Sequence, residues 1–241
     1  MKKTVMTLAL LAATPAMAEP LRIATEGAYP PFNEVNAAGE LVGFDVDIAN
    51  ALCAKMEAEC VIVAQDWDGI IPGLTAGKYD AIIASMSITE ERLQTVDFTD
   101  PYYSNFLVVV AKDGSGVTSE NVKEYSVGAQ RSTIAAVWAE EQMGTRGDLR
   151  LYDTTTASFA DLEAGRIDAF VADYFPAVEW LKDNAGFSIA GDRIDIDDKI
   201  GIAIRQNEGE LKDALNAALN GIIADGTYGE ISTQYFGVDI Y

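Results

Sequence analysis

The ten residues "LTAGKYDAII" at 74–83 return 88 positions later as "LEAGRIDAFV" at 162–171. Each copy reads as a helix end, a glycine stop, a basic residue and a strand opening at the aspartate. A single match of this length also fits an ordinary helix-to-strand loop, so chance similarity stands beside it as an alternative. Taken at face value, the repeat divides the chain into two similar lobes of roughly 90 to 130 residues each.

Outward from the repeat, short apolar runs alternate with amphipathic stretches. "LRIAT", "CVIVA", "YDAIIAS", "FLVVVA", "SVGAQ", "IDAFVA" and "IGIAI" read as strands, mostly too apolar to keep one wet face. Phe44, Ile48, Leu52 and Met56 recur every fourth residue, as do Leu211, Leu215 and Leu219 with Ile222 three further on. Both sets predict helices with one buried face. The alternation predicts an α/β fold with largely parallel sheets. Carrying the repeat's offset from Ser85 gives Asp173. In open α/β sheets ligands bind beyond the carboxyl ends of strands. Two facing sheets would therefore put Ser85 to Arg92 on one wall of a cleft and Asp173 on the other.

The first residues bear on the compartment. "MKK", the apolar "TVMTLALLAA" and the small-residue "AMA" ending at Ala18 read as a secretory signal peptide cleaved after Ala18. A retained anchor is the alternative, although the stretch is short for a stable span. Cleavage removes Lys2 and Lys3 and no acid, which takes the net charge from −21 to −23. So acidic a chain repels nucleic acid and anionic lipid, and neither is expected as a partner. Histidine is absent, which excludes Ser-His-Asp and Cys-His nucleophile pairs and imidazole zinc sites. The two cysteines, Cys53 and Cys60, read in an oxidising compartment as a disulfide, with two free thiols as the alternative. They are too few for a metal site, and no metal or cofactor is expected.

Four strand ends carry candidate binding residues. Arg92 follows "ASMSIT", in which Ser87 to Glu90 fits a capping box that would start a helix here. A guanidinium there can clamp a carboxylate through two parallel hydrogen bonds. It can equally pair with Glu90, Glu91 or Asp97 on an exposed face. Asp173 closes "DAFVAD" and suits an ammonium group, or else caps the following helix. Glu26 closes "LRIATE" before a loop stiffened by two prolines. Tyr29 and Trp67 could sandwich a cationic side chain whose charge Glu26 answers, or both rings could be core. A cation for a carboxylate, an acid for an ammonium and an acid with aromatics for a second cation together match a basic α-amino acid.

At these residues the chain resembles the periplasmic solute-binding proteins for polar amino acids that serve ABC importers. Within that family it is most similar to the lysine/arginine/ornithine-binding and arginine-binding branches. "ATEGAYPPF", "GFDVDIANALC", "WDGIIPGLTAGKYDAIIASMSITEER", "FTDPYY", "LEAGRIDAFVAD", "EWLKDN" and "ADGTYGEI" carry the resemblance. It implies a periplasmic binding protein-like II fold, with two lobes joined by two hinge strands around a ligand cleft. Lobe 1 would comprise residues 19–103 and 196–241, and lobe 2 residues 104–195. The resemblance further implies that Arg92, Ser87 and backbone N–H groups near Thr133 hold the α-carboxylate. Asp173 and Ser85 would take the α-ammonium, with Met86 beside them in the site. Glu26 would face the distal cation, flanked by Tyr29 and Trp67. It implies a monomeric periplasmic binder of arginine, lysine or ornithine that docks on a membrane permease and catalyses nothing.

The chain departs from these relatives in places. Glu26 replaces a shorter aspartate of the lysine/arginine/ornithine branch, and Trp67 a phenylalanine. Ser132 stands where many relatives have glycine, and Arg131 adds a positive charge near a cleft meant for cations. Opine binders share several motifs but generally lack an acid at the position of Asp173. A cyclohexadienyl dehydratase-like enzyme on the same fold is the catalytic alternative, with Glu26 or Asp173 as the acid.

Overall fold

The structure, a computed structural model, describes residues 19–241. The expected signal peptide and its cleavage site lie outside the described residues. Strands are numbered along the chain. One sheet has the order β5 (Cys60–Ala64), β1 (Leu21–Thr25), β6 (Ala81–Ile82), β14 (Ala203–Arg205), β7 (Val96–Phe98). A second has the order β10 (Asp148–Tyr152), β9 (Ser126–Gln130), β11 (Ala169–Asp173), β8 (Tyr103–Lys112), β12 (Phe187–Ile189), with β13 (Ile194–Ile200) also paired to β8. A small antiparallel sheet of β2 (Ala28–Tyr29), β3 (Asn33–Val35) and β4 (Leu41–Val42) follows β1.

The sequence repeat is a repeat of structure. Helix α1 (Phe44–Lys55) and α2 (Trp67–Thr75) flank the first sheet. Helix α2 caps at Ala76, and Gly77 turns the chain at φ +73° into β6. Eighty-eight residues on, helix α5 (Thr155–Glu163) caps at Ala164, and Gly165 turns at φ +67° into β11. A left-handed residue is needed at both turns, which is why glycine recurs. The repeated aspartates also do the same thing. Asp80 accepts from the Arg22 backbone N–H at 3.0 Å and donates its own N–H to Arg22 O at 2.8 Å. Asp168 makes the same pair of bonds with Ser126, at 2.9 and 2.8 Å. Each clasp starts the parallel pairing, β6 on β1 and β11 on β9.

Both central strands are covered on two faces, which explains their unbroken apolar runs. Ile23, Ala81 and Ile83 pack toward α1, α7 (Gly209–Ala224) and α8 (Thr227–Phe236), while Ala24, Ile82 and Ala84 pack toward α2. In the second sheet Val109, Val127 and Val171 face α4 (Ile134–Met143), and Val108, Val110 and Phe170 face α5 and α6 (Tyr174–Leu181). The chain passes between the sheets along β8 and β13. These strands pair antiparallel at Tyr103–Ile200, Ser104–Lys199 and Asn105–Asp198, and again at Leu107–Ile194 beyond a bulge. Cys53 on α1 and Cys60 at the head of β5 are joined by a disulfide. Among the described residues no helix is long and apolar enough to cross a membrane.

The capping expectation needs correction. Helix α3 is the single turn Glu90–Leu93, and its cap is Thr89, whose Oγ1 accepts from Arg92 N at 3.2 Å. Ser87 precedes it in extended backbone that bridges to Ile200. The hydroxyl next to the turn competes more effectively for the orphan N–H.

Candidate functional site

The carboxyl ends of β1, β6, β9 and β11 converge on a cavity that both lobes line. Glu26, Tyr29, Trp67, Ser85, Ser87 and Arg92 come from the first lobe, and Gln130, Thr133, Thr155 and Asp173 from the second. Of the residues expected in a binding site, Met86 is the exception. Its side chain is fully buried in the apolar cluster with Ile70, Leu74 and Ile82, and it does not line this cavity. Alternation along extended backbone sends Ser85 and Ser87 one way and Met86 the other.

At one end lies Arg92. Its guanidinium donates to Ser87 O at 2.8 Å and to Ser132 O at 2.9 Å, and sits 5.3 Å over the Trp67 ring. Trp67 Nε1 donates to the same Ser132 carbonyl at 3.1 Å. Burial pulls the Arg92 pKa down, against the attraction of Asp198, Glu91 and Asp173. None of the acids suspected of claiming Arg92 in an exposed pair forms a salt bridge with it. Opposite stands the N-terminus of α4, where Thr133 Oγ1 accepts from Ala136 N at 3.2 Å and donates to Gln130 O at 2.7 Å. The first-turn N–H groups of this ten-residue helix suit an anion facing Arg92.

Asp173 occupies the middle. It is the N-cap residue of α6 but makes no capping bond. Instead it accepts from Tyr29 Oη. Burial and the charge of Asp198 push its pKa up to about 6, with Tyr29, Asn105 and Arg92 opposing. Across from it, Ser85 stands at φ +51°. Its hydroxyl proton goes to buried Asp45 at 2.9 Å, and Tyr102 and Asn33 hold the same carboxylate at 2.7 and 2.9 Å. A hydroxyl whose proton is committed offers only its lone pair, which fits an ammonium donor.

Glu26 closes the far end and is 8 % exposed. Burial pushes its pKa up to about 7, a hydrogen bond from Gln130 works against this, and Asp66 and Asp68 add to it. Arg131 does not line the cavity. It pairs with Asp153 at 3.0 Å and with Asp68 at 3.7 Å, so its charge is answered by acids of both lobes. Ser132 adopts φ +58°, the conformation that makes glycine natural there, and its Oγ meets Asp68 at 3.2 Å.

Sequence reasoning missed Gln130, Thr155, Asp45 and the hinge pair Asn105–Asp198, whose side chains meet at 2.9 Å. Gln130 ends the strand "SVGAQ", and the strand-end rule that singled out Glu26 and Asp173 would have found it. Asp198 gave no such signal among the acids of "IDIDDKI". Burial pushes its pKa up, and its Oδ1 finds no partner.

Comparison with known proteins identifies the family. Residues 21–238 match the bacterial extracellular solute-binding proteins, family 3. The chain is 38% identical to the ABC transporter arginine-binding protein 1 of Escherichia coli (strain K12), over 98% of this chain and 99% of that one. It is 36% identical to the lysine/arginine/ornithine-binding periplasmic protein of the same organism, over 100% and 99%. An ancestral arginine-binding protein solved with arginine superposes at a TM-score of 0.87 and 36% identity, covering 92% of this chain and 100% of that one.

Proposed function

The chain belongs to family 3 of the bacterial extracellular solute-binding proteins, and we propose that it captures arginine, lysine or ornithine in the periplasm for the permease of an ABC importer. The observation that carries this reading is one cavity lined by Arg92, Asp173 and Glu26. Arg92 and the N-terminus of α4 take the α-carboxylate, with Ser87 beside them. Asp173 and the lone pair of Ser85 take the α-ammonium. Glu26 takes the distal cation, and Tyr29 and Trp67 flank the stem. A neutral side chain would leave buried Glu26 unanswered, which penalises it beyond the contacts it loses. A substituted amine would do the same to Asp173, which favours a free amino acid over an opine.

The α-carboxylate and the α-ammonium are each met from both lobes, so binding and lobe approach are one event. The lobes divide as residues 19–103 with 196–241, and 104–195, with β8 and β13 as the hinge. The protein acts as a monomer, and its work is binding, not catalysis, in keeping with relatives named for what they bind. Calorimetry on the mature protein with arginine, lysine, ornithine, glutamine and octopine tests the reading. Basic amino acids bind, Arg92→Ala abolishes binding in a folded protein, and Glu26→Gln weakens it. Tight binding of glutamine or octopine with the basic amino acids inert overturns the assignment of Glu26.

A further inference from the structure

Gln130 is a polar side chain with no role in the scheme so far, yet it is only 3 % exposed and all its partners are defined. Its Nε2 donates to Glu26 Oε1 at 2.7 Å and to the Asp153 carbonyl at 3.1 Å, while its Oε1 accepts from Thr155 Oγ1 at 2.8 Å. The orientation of the amide is forced. The Asp153 carbonyl can only accept, so the nitrogen must face it and with it Glu26, and the one remaining neighbour is a hydroxyl able to donate. Glu26 sits on the first lobe and Gln130 on the second, and this bond is made across the cavity.

We infer that Gln130 is a specificity-determining positioning residue: locked by Thr155, it favours the ionised form of Glu26 and aims that carboxylate at the distal cation of the ligand. This inference rests on the basic amino acid reading above. A donor on one oxygen favours the charged form of a buried carboxylate and fixes its plane. The second oxygen is then left to meet a guanidinium or ammonium. Because the donor belongs to the opposite lobe, the preference for a cation is expressed as the lobes come together, not in the first lobe alone.

The test compares arginine with citrulline, which replaces the guanidinium by a neutral ureido group of the same shape. Calorimetry is run on the wild type, Gln130→Leu, Thr155→Val, Glu26→Gln and the Gln130→Leu/Glu26→Gln double variant. Gln130→Leu is expected to weaken arginine about tenfold, as loss of a hydrogen bond to a charged group does, and to move citrulline less than about twofold. Thr155→Val, nearly isosteric, shifts arginine in the same direction by about threefold and keeps the inference testable should Gln130→Leu fold poorly. In the Glu26→Gln background, Gln130→Leu costs arginine nothing further, since the two act as one unit. Equal weakening of arginine and citrulline, or full additivity with Glu26→Gln, overturns the inference and leaves Gln130 a structural strut. A wild type that does not prefer arginine to citrulline overturns the basic amino acid reading itself, which is a separate result.

Discussion

Glu26 and Asp173 keep their protons to unusually high pH, near 7 and 6, because burial disfavours the carboxylate. A cationic ligand must displace those protons, so arginine affinity falls as pH drops from 8 to 5, by up to about tenfold per pH unit for each proton displaced. Stability of the unliganded protein runs the other way. The folded chain holds more protons than the unfolded chain between the ordinary carboxylate value and these raised ones, so stability declines as pH rises through that window. Buried Asp45, raised to about 6, adds to the same trend. Melting with and without arginine across this pH range should show the two effects opposed. An arginine-induced shift that is flat with pH would show that neither acid meets the ligand. Arg92, Asp173 and Glu26 were legible in the sequence because each stands at or just past a strand end with a charge that core packing does not explain, and Tyr29 and Trp67 because they stand just beyond such ends. Met86 was misplaced because neighbours in an extended segment face opposite ways, and Gln130 was passed over because a neutral amide attracts no notice in a search for charge.

The repeated segment is the element whose sequence and structure agree most closely. Cap, left-handed glycine, clasping aspartate and parallel strand occur in both lobes, and the apolar runs with two buried faces were readable from composition. Strand β10, "DLRLY", was not, because it is an edge strand that needs little apolar surface. Strand β13, "IDIDDKI", exists through its pairing with β8, a partner about 90 residues away that local pattern cannot name. The two clasps differ in one respect. Asp80 also binds Arg22 and Arg205 at 2.8 and 3.1 Å, whereas Asp168 has no ion pair among the described salt bridges. Burial would raise the Asp80 pKa, but the hydrogen bonds from both arginines hold it below the usual carboxylate range. Asp80→Ala should therefore cost about 2 kcal/mol of stability and Asp168→Ala about 1 kcal/mol. Urea denaturation measures both, and equal losses would mean that the arginines contribute nothing beyond the backbone clasp.

Taken whole, the molecule is strongly acidic, with 38 Asp and Glu against 17 Lys and Arg over the full chain. Its field attracts cations at long range and is screened by salt. Stopped-flow association of arginine should slow markedly between about 10 mM and about 500 mM salt, while its dissociation, governed by buried contacts, changes little. An association rate indifferent to salt would make the acidity a matter of solubility alone. One further consequence follows from the strand order of the first sheet. β14 lies between β6 and β7, and it is drawn from chain that comes after the entire second lobe. A chain emerging N-terminus first can therefore finish the later lobe before the earlier one. Everything from β1 to β7 waits unfinished until the segment from β14 through α8 arrives, since these also roof its core. The segment from β14 onward thus completes the first wall of the candidate site, and a product truncated before it would carry a whole second lobe beside half of a first.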